Sequence, residues 1–341
     1  MKAAVYYRND DLRVQEMPIP EIGENELLVK VKLSGICGSD VMEWYRVKKA
    51  PKVLGHEISG DVVKMGAKVE GFSVGDRVFV SHHVPCNSCH YCLKGHHSVC
   101  DTLRSTNFHP GGFAEYLRVP AINVDRGVFK LPASLSYEEG VFIEPLGCVY
   151  RGLRMANFQP GKSVLVIGCG VTGLLFVKLL RALGAGTIIA ADINDYKLEK
   201  AWEFGASAVV DAREDLGEAM REFTGGRSAD LVVCATGALP AIKAATKAVD
   251  KGGTILFFAP PPPDATVDIP LERFWKNEVQ VATSYAASPQ DLEAAVELMR
   301  SGRLDVEDMV THRLPLEGTQ EGFRLVASSQ ESLKVIIDME K

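Results

Sequence analysis

Long hydrophobic runs are missing from this chain of 341 residues, so no stretch reads as a membrane-spanning helix. A basic excess is missing as well. Its 38 Lys and Arg stand against 44 Asp and Glu, and the net charge of −6 speaks against a broad nucleic-acid footprint. Internal repeats and low-complexity tracts are absent, which removes solenoids and disordered linkers from consideration. Cysteine is not abundant: eight residues, with no targeting segment ahead of them, do not make an oxidised disulfide scaffold. Met1 leads directly into Lys2–Tyr6, which reads as a strand, so the cytoplasm is the expected location. What remains is a globular composition, 46% apolar and 24% charged, at a length that suggests two domains.

Four of the eight cysteines are concentrated. Cys86, Cys89, Cys92 and Cys100 follow the spacing C-x2-C-x2-C-x7-C. Four thiolates so close in sequence can close a tetrahedral shell around one metal ion, for which zinc is the default occupant. A closed shell leaves no position for a substrate, so this site is expected to hold a loop (about residues 82–104) and to do no chemistry. A ferredoxin-type cluster fits less well: its fourth cysteine is closer and precedes proline, whereas Cys100 precedes Asp101. His90, His96 and His97 interleave with the cysteines and read as surface residues.

The first 150 or so residues are turn-rich, with short apolar or alternating runs at Leu27–Leu33, Gly60–Val63, Arg77–Val80 and Phe113–Val119. They suggest a compact, barrel-like or partly open β fold with long loops. After Pro160-Gly161 strands and helices alternate. The strands read as Ser163–Ile167, Thr187–Ala191, Ala208–Val210, Leu231–Cys234 and Thr254–Phe258. Helices run to about Leu183 and over Asp195–Phe204, Leu216–Phe223 and Pro240–Val249. Such alternation predicts a doubly wound parallel sheet, and hence an α/β fold class overall. A helix at Pro289–Met299, a loop and a final strand near Leu333–Ile337 could return to the first domain. The domains are therefore expected at 1–150, completed by 288–341, and at 151–287.

Gly168-Cys169-Gly170-Val171-Thr172-Gly173 is a G-x-G-x-x-G sequence that follows a strand and opens a helix, the context in which it binds a dinucleotide pyrophosphate. Gly168, Gly170 and Gly173 allow the tight turn, the approach of the phosphates and close helix–strand packing. Asp192 ends the next strand, 24 positions after Gly168. An acid there can bond the ribose hydroxyls and would repel a 2′-phosphate, so NAD is expected over NADP.

Cys37 in Gly35-Ile36-Cys37-Gly38-Ser39-Asp40, His56 and Glu57 in Gly55-His56-Glu57, and Glu144 in Ile143-Glu144-Pro145-Leu146 are each unremarkable alone. Together with Met1–Tyr6, Gly75-Asp76-Arg77-Val78, the four-cysteine lobe, Gly112-Phe113-Ala114-Glu115-Tyr116 and the glycine fingerprint, they resemble the zinc-dependent medium-chain dehydrogenase/reductase family over nearly the whole chain. The run Glu144-Pro145-Leu146 looks most like its sorbitol (polyol) and threonine dehydrogenase branch. The resemblance implies a GroES-like catalytic domain beside a Rossmann domain, with one catalytic and one structural zinc. It implies Cys37 and His56 as catalytic-metal ligands, Glu57 as a direct or alternating ligand, and Glu144 as a ligand or a hold on the metal-bound water. Ser39 would start a proton relay. An open zinc position suits polarisation of an alcohol oxygen, and nicotinamide suits the hydride.

Two departures narrow the substrate. Many relatives place a histidine of the proton path five residues after the first zinc cysteine, where this chain has Met42. Sorbitol dehydrogenases place an Arg-Tyr pair where this chain reads Ser284-Tyr285-Ala286-Ala287-Ser288, so a sorbitol-like polyol and a phosphorylated substrate both lose support. The leading expectation is oxidation of a secondary alcohol (polyol, cyclitol or similar) to a ketone with NAD, the alternative being a β-hydroxy amino acid such as threonine. A zinc-free NADPH reductase is opposed by Cys37, His56, Glu57 and Asp192, and a non-catalytic zinc module would leave the second donor set unused. The resemblance also implies a homodimer or homotetramer, with sheet edges at Thr254–Phe258 or Val279–Thr283 as the expected contacts.

Overall fold

A computed structural model describes residues 1–341. Two compact units emerge, one of Met1–Gly147 with Ala286–Lys341 and one of Cys148–Tyr285. The divisions thus fall at 147/148 and 285/286 rather than at 150/151 and 287/288.

The first unit contains two sheets. β1 (Lys2–Arg8) pairs with β2 (Asp11–Glu16) and β4 (Lys52–Val53). The larger sheet is built on β3 (Leu27–Gly35), which pairs antiparallel with β5 (Glu57–Met65) and with β7 (Tyr116–Val119). β5 continues to β6 (Arg77–Val80) and β8 (Val128–Lys130). Alternation decides the faces: Leu27, Val29 and Val31 are fully buried against Ile58, Val62, Val78 and Leu117. On the other side of β3 lies β16 (Lys334–Asp338), with β15 (Val310–Pro315) parallel to it at the edge. The C-terminal segment therefore does return to the first unit. The stretch expected to be loop also contains β15 and a helix at Thr319–Ser328.

A second correction concerns Tyr137–Met155. This is a 19-residue helix in a region read as β-rich, and Glu144 and Pro145 lie inside it. Its residues 140–147 are all buried. Burial on every side erases the 3.6-residue pattern that betrays a surface helix.

The second unit is a six-stranded, wholly parallel sheet. β9 (Val164–Ile167), β10 (Ile188–Asp192), β11 (Ala208–Asp211), β12 (Ala229–Cys234), β13 (Val249–Phe257) and β14 (Gln280–Thr283) lie in the spatial order 11-10-9-12-13-14. Helices occupy the connections, as parallel strands require. The order reverses at β9, the place where such sheets open a crevice for a ligand. β13 is flanked by β12 and β14, so Thr254–Phe258 has no free edge and only β14 remains at that end of the sheet. No helix is long and apolar enough to cross a membrane.

Candidate metal centres and cofactor loop

The lobe forms as its spacing demands. The thiols of Cys86, Cys89, Cys92 and Cys100 lie within 4.8 Å of one another. The Cys86 sulfur is 4.0 Å from that of Cys92 and 3.6 Å from that of Cys100. Four ligands at about 2.3 Å on a tetrahedron sit about 3.8 Å apart, so the cluster fits zinc. None of the eight cysteines is in a disulfide. The backbone N–H of Cys89 donates to the Cys86 sulfur, and Leu103 packs against Cys92 and Cys100. Hydrogen bonds from Ser88 and Cys89 pull the Cys86 thiol down to about 5, while burial pushes Cys92 up to about 12. Metal binding here would therefore be coupled to proton release. His90 and His96 are exposed, and His97 is half-buried.

A second set of donors comes from the turn after β3 and the start of β5. Cys37, His56 and Glu57 each bring a ligand atom to within 4.8 Å of the others. Sulfur, nitrogen and oxygen from three side chains, one donor short of a closed tetrahedral shell, is the donor chemistry that suits a catalytic zinc. Glu144 is buried on its helix and is not part of that close group.

Several further residues organise this set. Asp40 is fully buried, and its carboxylate lies 3.4 Å from Nδ1 of His56 and 3.2 Å from Arg46, while accepting the Cys37 N–H. Burial opposes a charge on His56, but the Asp40 carboxylate outweighs it and holds the imidazole well above its usual range. With Nδ1 directed at Asp40, the other ring nitrogen is left for a metal. Arg46 also donates to the Ser39 hydroxyl at 2.9 Å and to the Ser39 carbonyl. The Ser39 oxygen is thus an acceptor toward Arg46 and keeps its own proton to donate. Met42 starts the short helix Glu43–Arg46, and its thioether carries no exchangeable proton.

Glu57 has a partner of its own. Lys334, on β16, bonds the Glu57 carboxylate, and each side chain is only 1% exposed. The Lys334 ammonium also lies 5.5 Å from the Phe142 ring. Gly35 is required here, since a Cβ would collide with Glu57, Val141 and Lys334. Beside His56 stand two more imidazoles, with ring centroids 4.8 Å apart for His56–His82 and 3.8 Å for His82–His83. Burial, then the charges of His56 and Arg46, drive His83 down to about 3.

The glycine loop joins β9 to the helix Val171–Ala182. A Cβ on Gly173 would strike the Gly168 carbonyl, whereas the equivalent position on Gly170 has no atom within 4 Å. The helix start at Val171, Thr172 and Gly173 has no side-chain cap. Asp192 closes the loop from below, accepting the N–H of Cys169 at 2.6 Å and that of Asn194 at 3.0 Å. An open glycine and uncapped N–H groups suit a pyrophosphate.

Sequence reasoning missed Lys334, Arg46, His82 and His83. Asp40 was inside a recognised motif but had no role assigned. Lys334 carried no local signal, because its partner is 277 positions away.

Comparison with known proteins agrees with this geometry. Residues 23–133 match the alcohol dehydrogenase GroES-like domain family, and residues 171–301 match the zinc-binding dehydrogenase family. Sorbitol dehydrogenase of Bacillus subtilis is 32% identical, covering 99% of this chain and 97% of that one. L-threonine 3-dehydrogenase of Bacillus velezensis is 35% identical, covering 99% of each. The alcohol dehydrogenase of Thermus sp. ATN1 has a similar structure, with a TM-score of 0.89 at 31% identity over 99% of this chain and 100% of that one.

Proposed function

Because the chain belongs to the zinc-dependent medium-chain dehydrogenase/reductase family, near its polyol and threonine branch, we propose that it oxidises a secondary alcohol to a ketone with NAD. The observation that carries this reading is the convergence of Cys37, His56 and Glu57, with Asp40 fixing the His56 ring. Zinc held there by Cys37, His56 and Glu57 would supply a Lewis acid for the alcohol oxygen, and a bound nicotinamide would supply the hydride acceptor.

The chain's own residues supply the rest. Ser39, held by Arg46, offers a hydroxyl that can take up the alcohol proton as it passes its own on. With Met42 five positions after Cys37, the next acceptor is another group or water. Lys334 balances the buried charge of Glu57. Asp192 supports NAD over NADP, since its carboxylate would repel a 2′-phosphate. A β-hydroxy amino acid is the second reading, favoured by the 35% identity to a threonine dehydrogenase.

Eight cysteines without a disulfide support a reducing cytoplasm. β14 supports a homodimer or homotetramer. It ends the sheet with Val281 45% exposed, and Leu271 and Trp275 of the same unit are 75% and 79% exposed. Only monomer in gel filtration would refute that assembly.

The test is nicotinamide absorbance with zinc-loaded protein, NAD and a panel of threonine, sorbitol, xylitol, inositols and butane-2,3-diol. Turnover that EDTA and Cys37→Ala both abolish is expected. Turnover that survives both, or only one zinc bound per chain, would overturn the catalytic-metal assignment.

A further inference from the structure

Three cations gather at the Cys37–His56–Glu57 end of the first unit, on a segment to which the mechanism above gives only one task. Arg46 and Lys49 both lie over the Tyr45 ring, at 4.8 and 5.6 Å from its centroid. Arg46 bonds Asp40, and Asp40 faces His56. Lys52 stands four residues before His56 and is half-buried. Some lysines elsewhere pair with acids, Lys30 and Lys32 with Glu340, Lys68 with Glu24, Lys130 with Asp76, while Lys48, Lys64 and Lys94 are left to solvent on exposed positions. Neither Lys49 nor Lys52 has an ion-pair partner. Of the nearby acids, Asp40 is buried and committed to Arg46, His56 and the Cys37 N–H. Glu43 is exposed on the same short helix and makes no ion pair.

We propose that Arg46, Lys49 and Lys52 bind an anionic group of the substrate, so that this site takes a secondary alcohol bearing a carboxylate or a phosphate. The proposal rests on the dehydrogenase reading and adds the substrate class to it. Arg and Lys side chains are donors only. A neutral polyol needs acceptors as well as donors around its hydroxyls, whereas an oxyanion is satisfied by donors alone and forms the stronger, charge-assisted bonds. Burying part of Lys52 without a partner is unfavourable in the free protein. Burial and then the charges of Lys49 and Arg46 lower its pKa, and an incoming anion would offset the repulsion between these cations. The Ser284–Ser288 segment, with no arginine, need not supply the anion's partner if this segment does.

The matched ligands are D-sorbitol, D-gluconate and D-sorbitol 6-phosphate, titrated calorimetrically into zinc-loaded protein saturated with NADH. At least one of the two anions is expected to bind tenfold or more tightly than sorbitol, with the gluconate and phosphate arms naming the group. Added KCl should weaken that anion and leave sorbitol alone. In the double variant Lys49→Gln, Lys52→Met the preference should collapse. Lys49→Gln alone, at an exposed position, serves if the double variant is unstable. Equal binding of sorbitol and both anions, or a preference that survives the substitutions, would overturn the proposal. So would substitutions that weaken NADH instead, because the cations would then serve the dinucleotide. Anion binding without NAD reduction on any alcohol would leave the anion site standing and remove the dehydrogenase reading.

Discussion

The four-cysteine lobe draws every donor from 15 consecutive residues, Cys86 to Cys100, whereas Cys37, His56 and Glu57 depend on Asp40, Arg46 and, 277 positions from Glu57, Lys334. The lobe is a closed shell of one kind of atom. The second set mixes sulfur, nitrogen and oxygen and counts three donors, one fewer than a closed tetrahedral shell needs. A local, saturated cluster stabilises a loop. An unsaturated one must be kept in shape by neighbours that do not touch the metal, and the buried Asp40 and Lys334 serve that task.

The contrast can be broken most sharply by removing one metal at a time. Cys37→Ala should lower zinc content from two to one and reduce turnover by about a thousandfold, several kcal/mol of barrier, with little change in thermal unfolding. Cys89→Ser should lower zinc content equally, yet destabilise the 86–100 loop and open it to protease while kcat stays within a few-fold. Metal analysis, kinetics and limited proteolysis on the two variants check this together. Equal kinetic losses in both would mean that the sites do not differ in the way described.

Lys334→Met comes next. It strands the buried Glu57 carboxylate, which should cost about 3–5 kcal/mol of stability in denaturant unfolding. Adding Glu57→Gln should recover part of that loss, and failure to do so would show that Lys334 acts through packing alone. Asp40→Asn frees His56 to turn, so zinc affinity at the Cys37 site should fall by about 10- to 100-fold in a chelator competition, with the lobe unaffected.

The smallest effect concerns pH. The His83 imidazole titrates near 3 in the folded chain against an ordinary value of about 6.5. Between those values the unfolded chain binds a proton that the native state does not. Stability is therefore complete above about pH 6.5 and declines as pH falls toward 3, by up to about 2 kcal/mol at pH 5. His83→Gln in zinc-loaded protein should flatten that slope, and an unchanged slope would refute the assignment.

What could be read from the sequence follows the same local-versus-distant division. The lobe, the glycine loop and the strand–helix alternation of the second unit are each encoded within short windows. Their spacing maps directly onto the thiol cluster, the uncapped start of the Val171–Ala182 helix and the parallel sheet. Cys37, His56 and Glu57 were legible as a set only through resemblance, since Cys37 lies 19 positions before His56 and no local pattern links them. The Tyr137–Met155 helix was hidden by burial all round and by Pro145, a residue that ordinarily ends a helix. Lys334 and the Arg46–Lys52 cations were hidden for the opposite reason. A lysine or arginine in a polar loop or at a strand start looks solvated until folding shows whether an acid stands opposite it.

The Glu57–Lys334 pair also constrains the order of events during synthesis. At about 5–20 residues per second, Lys334 is made roughly 14–55 s after Glu57. Through that interval β3 and β5 can pair, but the carboxylate at their junction has no counter-charge and Gly35 no neighbour across β16. The nascent first unit must therefore wait, with the second unit already emerging, for a late strand to neutralise an early one. A chaperone or a metal ion that occupied Glu57 during the delay would act on the folding yield of the chain and leave no trace in its finished structure.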